Sequence, residues 1–96
     1  MPQNQNFNPF EFYPDFGILK YLSERKNNRA KEKSIFVKFC LKSSVSEEKF
    51  IDGLQNLLRH ELIEREVRGR NNVLYYNLTD GGENYIALLK KNFGRN

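Results

Sequence analysis

The residues whose types could do chemistry are few, and most of them point away from catalysis. His60 is the only histidine and Cys40 the only cysteine, so the chain holds no zinc-ligand cluster. The histidine sits near the end of an amphipathic stretch, where a structural or surface role fits best. Gly81-Gly82 lacks the wider fingerprint of a phosphate-binding loop and suits a helix start. The paired acids Glu47 and Glu48 are explained by the positive end of a helix dipole. No catalytic residue, cofactor or metal is expected. What remains is polar chemistry directed at a polymer. Lys49, Asp52, Asn56 and Arg59 recur on the side of one helix away from its leucines. Asparagine can pair bidentately with adenine, and lysine or arginine with guanine, when a helix lies in a major groove. Arg68 and Arg70 flank Gly69, with Asn71 and Asn72 beside them, and arginines so exposed can hold phosphates or enter a minor groove. Lys42, Ser43, Ser44 and Ser46, just ahead of the helix, can contact backbone oxygens. The same residues also read as the solvated side of an amphipathic helix and an exposed hairpin. Asp52 and the acidic first turn favour that second reading, since they repel phosphate unless aimed at bases.

The elements that must position these residues lie between Ser46 and Asp80. Phe50, Ile51, Leu54, Leu57 and Leu58 have the spacing of one buried helix face, with Ser44 or Ser46 able to cap its start. The period then changes from helical to extended. Leu62–Val67 and Val73–Leu78 are rich in branched and aromatic residues and predict two strands. Between them Arg68–Asn72 supplies the Gly and Asn residues that a hairpin tip requires.

Leu54-Gln55-Asn56-Leu57-Leu58-Arg59-His60-Glu61-Leu62-Ile63-Glu64-Arg65 resembles L-x-x-L-x-x-x-G-L-I-x-R, in which a recognition helix ends and a first wing strand begins. Tyr76-Asn77-Leu78-Thr79-Asp80-Gly81-Gly82 is similar to the Y-x-L-T-x-x-G that closes a second wing strand. Together they resemble the winged helix-turn-helix superfamily, nearest to the MarR and PadR regulators. The resemblance covers about half the chain firmly and the preceding helices more loosely. It implies an α+β fold of three helices, a two-stranded β-wing and a C-terminal helix. It also implies double-stranded DNA as partner and a homodimer. Glu61 departs from the pattern, which has Gly there. A left-handed cap costs a non-Gly residue about 1 kcal/mol, which predicts a turn of another shape.

The remainder of the chain is read in that frame. Residues 1–14 form an aromatic arm and 15–96 the domain. Phe7, Phe10, Phe12, Tyr13 and Phe16 crowd around Pro9 and Pro14, and burying each ring is worth roughly 1.5–3 kcal/mol. The arm therefore packs over the domain's own core or reaches a second subunit. Asp15 to Lys26 predicts a first helix capped by Asp15, with Ile18, Leu19 and Leu22 on one face. Arg25 to Lys33 reads as a solvated basic loop that leads into the next helix and lies where phosphate contacts are plausible. Ser34 to Lys42 is read as the second helix, with a partly extended form as the alternative. Thr79 or Asp80 caps a last helix striped by Tyr85, Ile86, Leu89 and Phe93. Gly53, costly inside a helix, marks either a close backbone approach or nothing at all.

Composition sets bounds on function. The chain has 96 residues, 39% of them hydrophobic, enough for one modest core. Sixteen basic residues oppose twelve acidic ones, a net charge of +4 that mildly favours a polyanion. A lone cysteine suits a reducing cytosol, no apolar run approaches a membrane span, and the polar start does not look like a secretion signal. The expectation is a cytoplasmic, sequence-specific or architectural DNA-binding protein acting in transcription regulation. The competing expectation is a winged helix used only as a protein-interaction module.

Overall fold

A proline opens the first helix, where its fixed φ suits the helical start and its missing N–H leaves no bond unmade. The structure, a computed structural model, describes residues 14–93, so the aromatic residues from Phe7 to Tyr13 lie outside the described part. Helix α1 spans Pro14–Ser23 and buries Ile18, Leu19 and Leu22 completely. It is shorter than the Asp15–Lys26 expected: Arg25 is already extended (φ −91°, ψ 154°), and Asn27 and Asn28 then take positive φ and turn the chain. Asp15 lies within the first turn, and its side chain accepts a hydrogen bond from the Phe16 N–H at 3.1 Å.

After a 3-10 turn at Lys26–Asn28 comes strand β1, Arg29–Lys31, inside the stretch read as a loop. Only Ala30 of its three residues is buried, which gave sequence periodicity too little to register. The second helix, α2, is α-helical over Glu32–Phe36 and π-helical over Val37–Leu41, with no extended part. Helix α3 spans Glu47–Arg59, and the Ser46 hydroxyl caps it by accepting from the Lys49 N–H at 3.2 Å. Its buried side is Phe50, Gly53, Leu54 and Leu57; Ile51, expected among them, is 49% exposed. Gly53 does mark a close approach: a Cβ there would stand 3.3 Å from the Asp15 nitrogen at the start of α1.

Strands β2 (Ile63–Arg68) and β3 (Val73–Leu78) form the expected hairpin, and β1 joins the far side of β3 to give an antiparallel sheet in the order β1-β3-β2. Helix α4, Asp80–Phe93, buries Ile86 and Leu89. Tyr85 is 37% exposed and pairs with Phe16 at 6.3 Å between ring centroids, while the side chain of Phe93 lies outside the described part. Three helices, the sheet and α4 thus enclose one core, centred on Ile18, Leu22, Ile35, Leu54 and Tyr76.

The junction between α3 and the hairpin sets the geometry. Glu61 takes φ +59°, so the left-handed cap survives without glycine, against the sequence expectation of another shape. The Leu62 N–H donates to the Leu57 carbonyl at 2.9 Å and the Glu61 N–H to the Leu58 carbonyl at 3.0 Å, the pair of hydrogen bonds of a Schellman ending. These bonds and the burial of Ile63 offset the roughly 1–2 kcal/mol that left-handed backbone costs an ordinary residue. Thr79 then locks the return: its N–H donates to the Leu62 carbonyl, its hydroxyl donates to the Glu61 carbonyl, and its Oγ1 accepts from the Gly82 N–H.

Gly82 is required by this packing. A methyl group there would fall on the Leu62 carbonyl oxygen and stand 2.7 Å from a Leu78 methyl. Gly82→Ala is therefore expected to lower stability by about 2–3 kcal/mol, beyond any gain in helix propensity. Chemical denaturation of the variant against the parent measures this.

Candidate nucleic-acid interface

The turn between α2 and α3 exposes Lys42, Ser43 and Ser44. Ser44 holds φ +61°, and the Ser43 hydroxyl donates to the Lys38 carbonyl at 3.0 Å, which leaves the turn's shape fixed from within. Ser46 is engaged as the cap of α3, so its oxygen already serves the helix. Along α3, Lys49, Asp52 and Arg59 are exposed and Asn56 is half-buried. The Arg59 guanidinium donates to the Asn56 side-chain oxygen at 2.9 Å. Asn56 thus offers its NH2 freely, but one lone pair of its acceptor oxygen is held by its neighbour. Glu47, Glu48 and Asp52 make the first half of this face mainly acidic, with cationic character concentrated at Lys49 and Arg59.

At the hairpin tip Gly69 (φ +78°) and Asn72 (φ +54°) supply the positive dihedrals that close the loop. The Asn72 N–H donates to the Gly69 carbonyl at 3.3 Å. Arg70 and Asn71 are exposed and make no hydrogen bond or ion pair among the described residues. Arg68 is different, being tied into the sheet.

Register places Arg29 and Lys31 of β1, Tyr75 and Asn77 of β3, and Glu66 of β2 on one face, opposite the core side chain Tyr76. The guanidinium carbons of Arg29 and Arg68 lie 5.7 and 6.0 Å from the Tyr75 ring centroid. Glu66 stands 3.6 Å from Arg29 and 3.7 Å from Arg68 and accepts from the Asn77 side chain at 2.8 Å. Arg29, Lys31 and Tyr75 were not singled out in the sequence as site residues. In the sequence Arg29 and Lys31 read only as part of the basic stretch Arg25–Lys33, and the polar–apolar–polar alternation of Arg29-Ala30-Lys31 is the signal for a strand.

A second feature lies along α2. A groove of about 490 Å³ is lined by Tyr21, Arg25, Lys33, Ser34, Val37, Lys38 and Lys42. Four of these are cations and none is an acid, and the Arg25 guanidinium carbon sits 4.7 Å from the Tyr21 ring centroid. The basic stretch Arg25–Lys33 hinted at this cluster. Lys38 escaped notice because its segment was read for apolar pattern alone. Among the described residues no group of His, Cys, Asp and Glu could hold a metal ion. None of their helices is long and apolar enough to cross a membrane. Burial, and then the charge of Glu47, raises the Cys40 thiol above its ordinary value, which disfavours the nucleophilic thiolate.

No protein-family model matches the sequence, and no curated protein matches it either. Solved structures do match in shape. One is smu.1704 from Streptococcus mutans UA159, at 22% identity and TM-score 0.70, covering 84% of this chain and 76% of that one. A transcriptional regulator from Clostridium thermocellum, Cth-833, aligns at 18% identity and TM-score 0.69 over 86% of this chain and 82% of its own. The reduced form of the transcriptional regulator YodB from B. subtilis aligns at 22% identity and TM-score 0.65, over 80% and 71%. The chain folds as a winged helix. The hairpin is its wing, α2 and α3 its helix-turn-helix, and β1 the third strand that anchors the wing to the body.

Glu66 is the electrostatic hinge of that wing. Its carboxyl is held below the ordinary carboxylate range by the Asn77 hydrogen bond first, then, against partial desolvation, by the charges of Arg68 and Arg29. A folded pKa below the unfolded one gives stability that is complete above the ordinary carboxylate value and is lost as pH falls through the lowered value. Glu66→Gln is expected to melt below the parent near neutral pH. That gap should narrow steadily as melts are repeated from about pH 7 down to about pH 3.

Proposed function

We propose that this winged helix binds double-stranded DNA as a homodimeric, non-enzymatic transcriptional regulator or DNA-organising factor in the cytoplasm. The observation that carries the reading is the acid-free groove of Arg25, Lys33, Lys38 and Lys42, which leads through the turn to α3. In a helix-turn-helix the first helix crosses the phosphate backbone while the second enters the major groove. Cations along α2 suit the first task. On α3, Lys49, Asn56 and Arg59 are the candidates for base edges, with Asp52 beside them, and Lys42, Ser43, Ser44 and Ser46 stand at the entry. The wing tip, with Arg68, Arg70, Asn71 and Asn72, is assigned to the backbone or the minor groove. Two of the similar structures, Cth-833 and YodB, are transcriptional regulators, which supports this reading.

Dimerisation is proposed because a small basic domain gains affinity by engaging two half-sites. Apolar surface is also available on α4, where Leu88 is 57% exposed. The arm of residues 1–14 is the second candidate for that interface. Sedimentation at micromolar concentration should give about twice the monomer mass; a monomer throughout would end the dimer proposal.

Salt dependence tests the DNA reading. Each arginine that neutralises a phosphate releases condensed counterion, so the log–log salt slope should fall by about 0.9 for each lost contact in each subunit. Arg68→Ala combined with Arg70→Ala is expected to weaken binding to every duplex and flatten that slope. Its effect on stability should stay within about 1 kcal/mol, since the Arg68–Glu66 pair is solvent-exposed. An unchanged slope would remove the wing from the interface. If the parent chain shows no salt-sensitive binding to any duplex, the DNA reading falls.

A further inference from the structure

Beyond Lys33, which lines both grooves, the surface changes character. A groove of about 350 Å³ opens between the start of α2 and the first half of α3, lined by Glu32, Lys33, Phe36, Glu47, Phe50 and Ile51. Its floor is apolar: Phe36 packs edge-on against Phe50 at 5.8 Å between centroids, and Ile51 stands half in solvent although its neighbour Leu54 is buried. Its walls carry Glu32 and Glu47, and the same helix as Glu47 also exposes Glu48, Lys49 and Asp52. Lys33 is the one cation in the lining. The Tyr76 hydroxyl donates to one oxygen of Glu32 at 3.3 Å, which holds that carboxylate in place, and the other oxygen has no partner among the described residues.

We infer that this groove docks a basic peptide segment of another protein, one that carries an apolar anchor side chain. The inference goes beyond the DNA reading and stands independently of it. Charge complementarity selects the occupant. The chain as a whole has a net charge of +4, so an apolar cleft walled by carboxylates runs against its average and favours a cationic complement. An anchor residue fills the gap between Phe36, Phe50 and Ile51, while lysine or arginine beside it meets Glu32 and Glu47, the pattern of a buried anchor with a charged rim. The chain's own aromatic segment is a poor fit. Residues 1–13 contain Glu11 and neither lysine nor arginine, so they bring negative charge to a negative rim.

Fluorescence anisotropy with the full chain tests this, using three labelled peptides. One alternates lysine and leucine around a central phenylalanine; the second replaces every lysine by glutamate; the third is residues 1–13 of this chain. The lysine peptide should bind at least about tenfold tighter than the other two and weaken as salt is raised. Ile51→Ser and Glu47→Lys should each weaken it by about fivefold or more. The melting temperature should stay close to the parent's for Ile51→Ser, at an exposed position, and fall by a few degrees for Glu47→Lys, which puts a cation at the positive end of the helix. Arg68→Ala with Arg70→Ala should leave peptide affinity unchanged, so loss of DNA binding and loss of peptide binding are read separately. Equal binding of the lysine and glutamate peptides overturns the inference, as does equal or tighter binding by residues 1–13. Unchanged affinity in either groove variant overturns it too.

Discussion

Everything in this fold depends on how α3 hands the chain to β2. The left-handed residue Glu61 reverses direction in a single step, and the two carbonyls around it, Glu61 and Leu62, are both claimed by Thr79 from the far end of the hairpin. Gly82 allows α4 to start against that same Leu62 carbonyl. One small knot of backbone therefore sets where α3 ends, where the wing begins and where α4 leaves. Its elements could not drift separately, because each bond in the knot satisfies a polar group that would otherwise be orphaned at a helix end. Glu61 shows that the geometry is held by these bonds and by the burial of Ile63, with glycine a convenience at the turn.

The parts of the molecule legible in the sequence are those with long, regular patterns. Helix α3 and the hairpin each repeat their period several times, and Ser46, Gly69 and Asn72 punctuate them with unambiguous chemistry. The pattern Leu62-Ile63 through Thr79-Gly82 carried the fold because it encodes the knot itself. Strand β1 was invisible for a physical reason: three residues with one buried side chain cannot be told from a loop, and the strand exists only because β3 offers it partners. The exposure of Ile51 was hidden by helical spacing, which places it beside Phe50 without saying whether a neighbouring helix covers it.

The candidate interface was legible in kind and only partly in membership. Turn, helix and wing tip were found from local chemistry. The α2 groove needed the packing of α1 against α2, and the Tyr75 cluster needed the sheet, which joins side chains far apart in the chain. Asn56 illustrates a further limit. Its residue type promised both a donor and an acceptor, but Arg59, one helical turn on, already takes one of the oxygen's two lone pairs. The two grooves that meet at Lys33 likewise differ in sign, one lined by four cations and no acid, the other by Glu32 and Glu47 with Lys33, which net charge alone averages away.

The sheet order β1-β3-β2 has one more consequence. Among the described residues strand β2 lies at the rim with no strand beyond it, and its outer backbone groups are a template on which another strand could assemble. Its sequence, Ile63-Glu64-Arg65-Glu66-Val67-Arg68, places charges of alternating sign along that rim, buries Ile63 at its inner end and exposes Val67 as its one apolar side chain in solvent. Any strand that added there would have to strip water from these charges, and one bearing the same pattern in register would set like against like. The rim of the wing is thereby guarded against stacking into fibrils, while its charges stay in solvent.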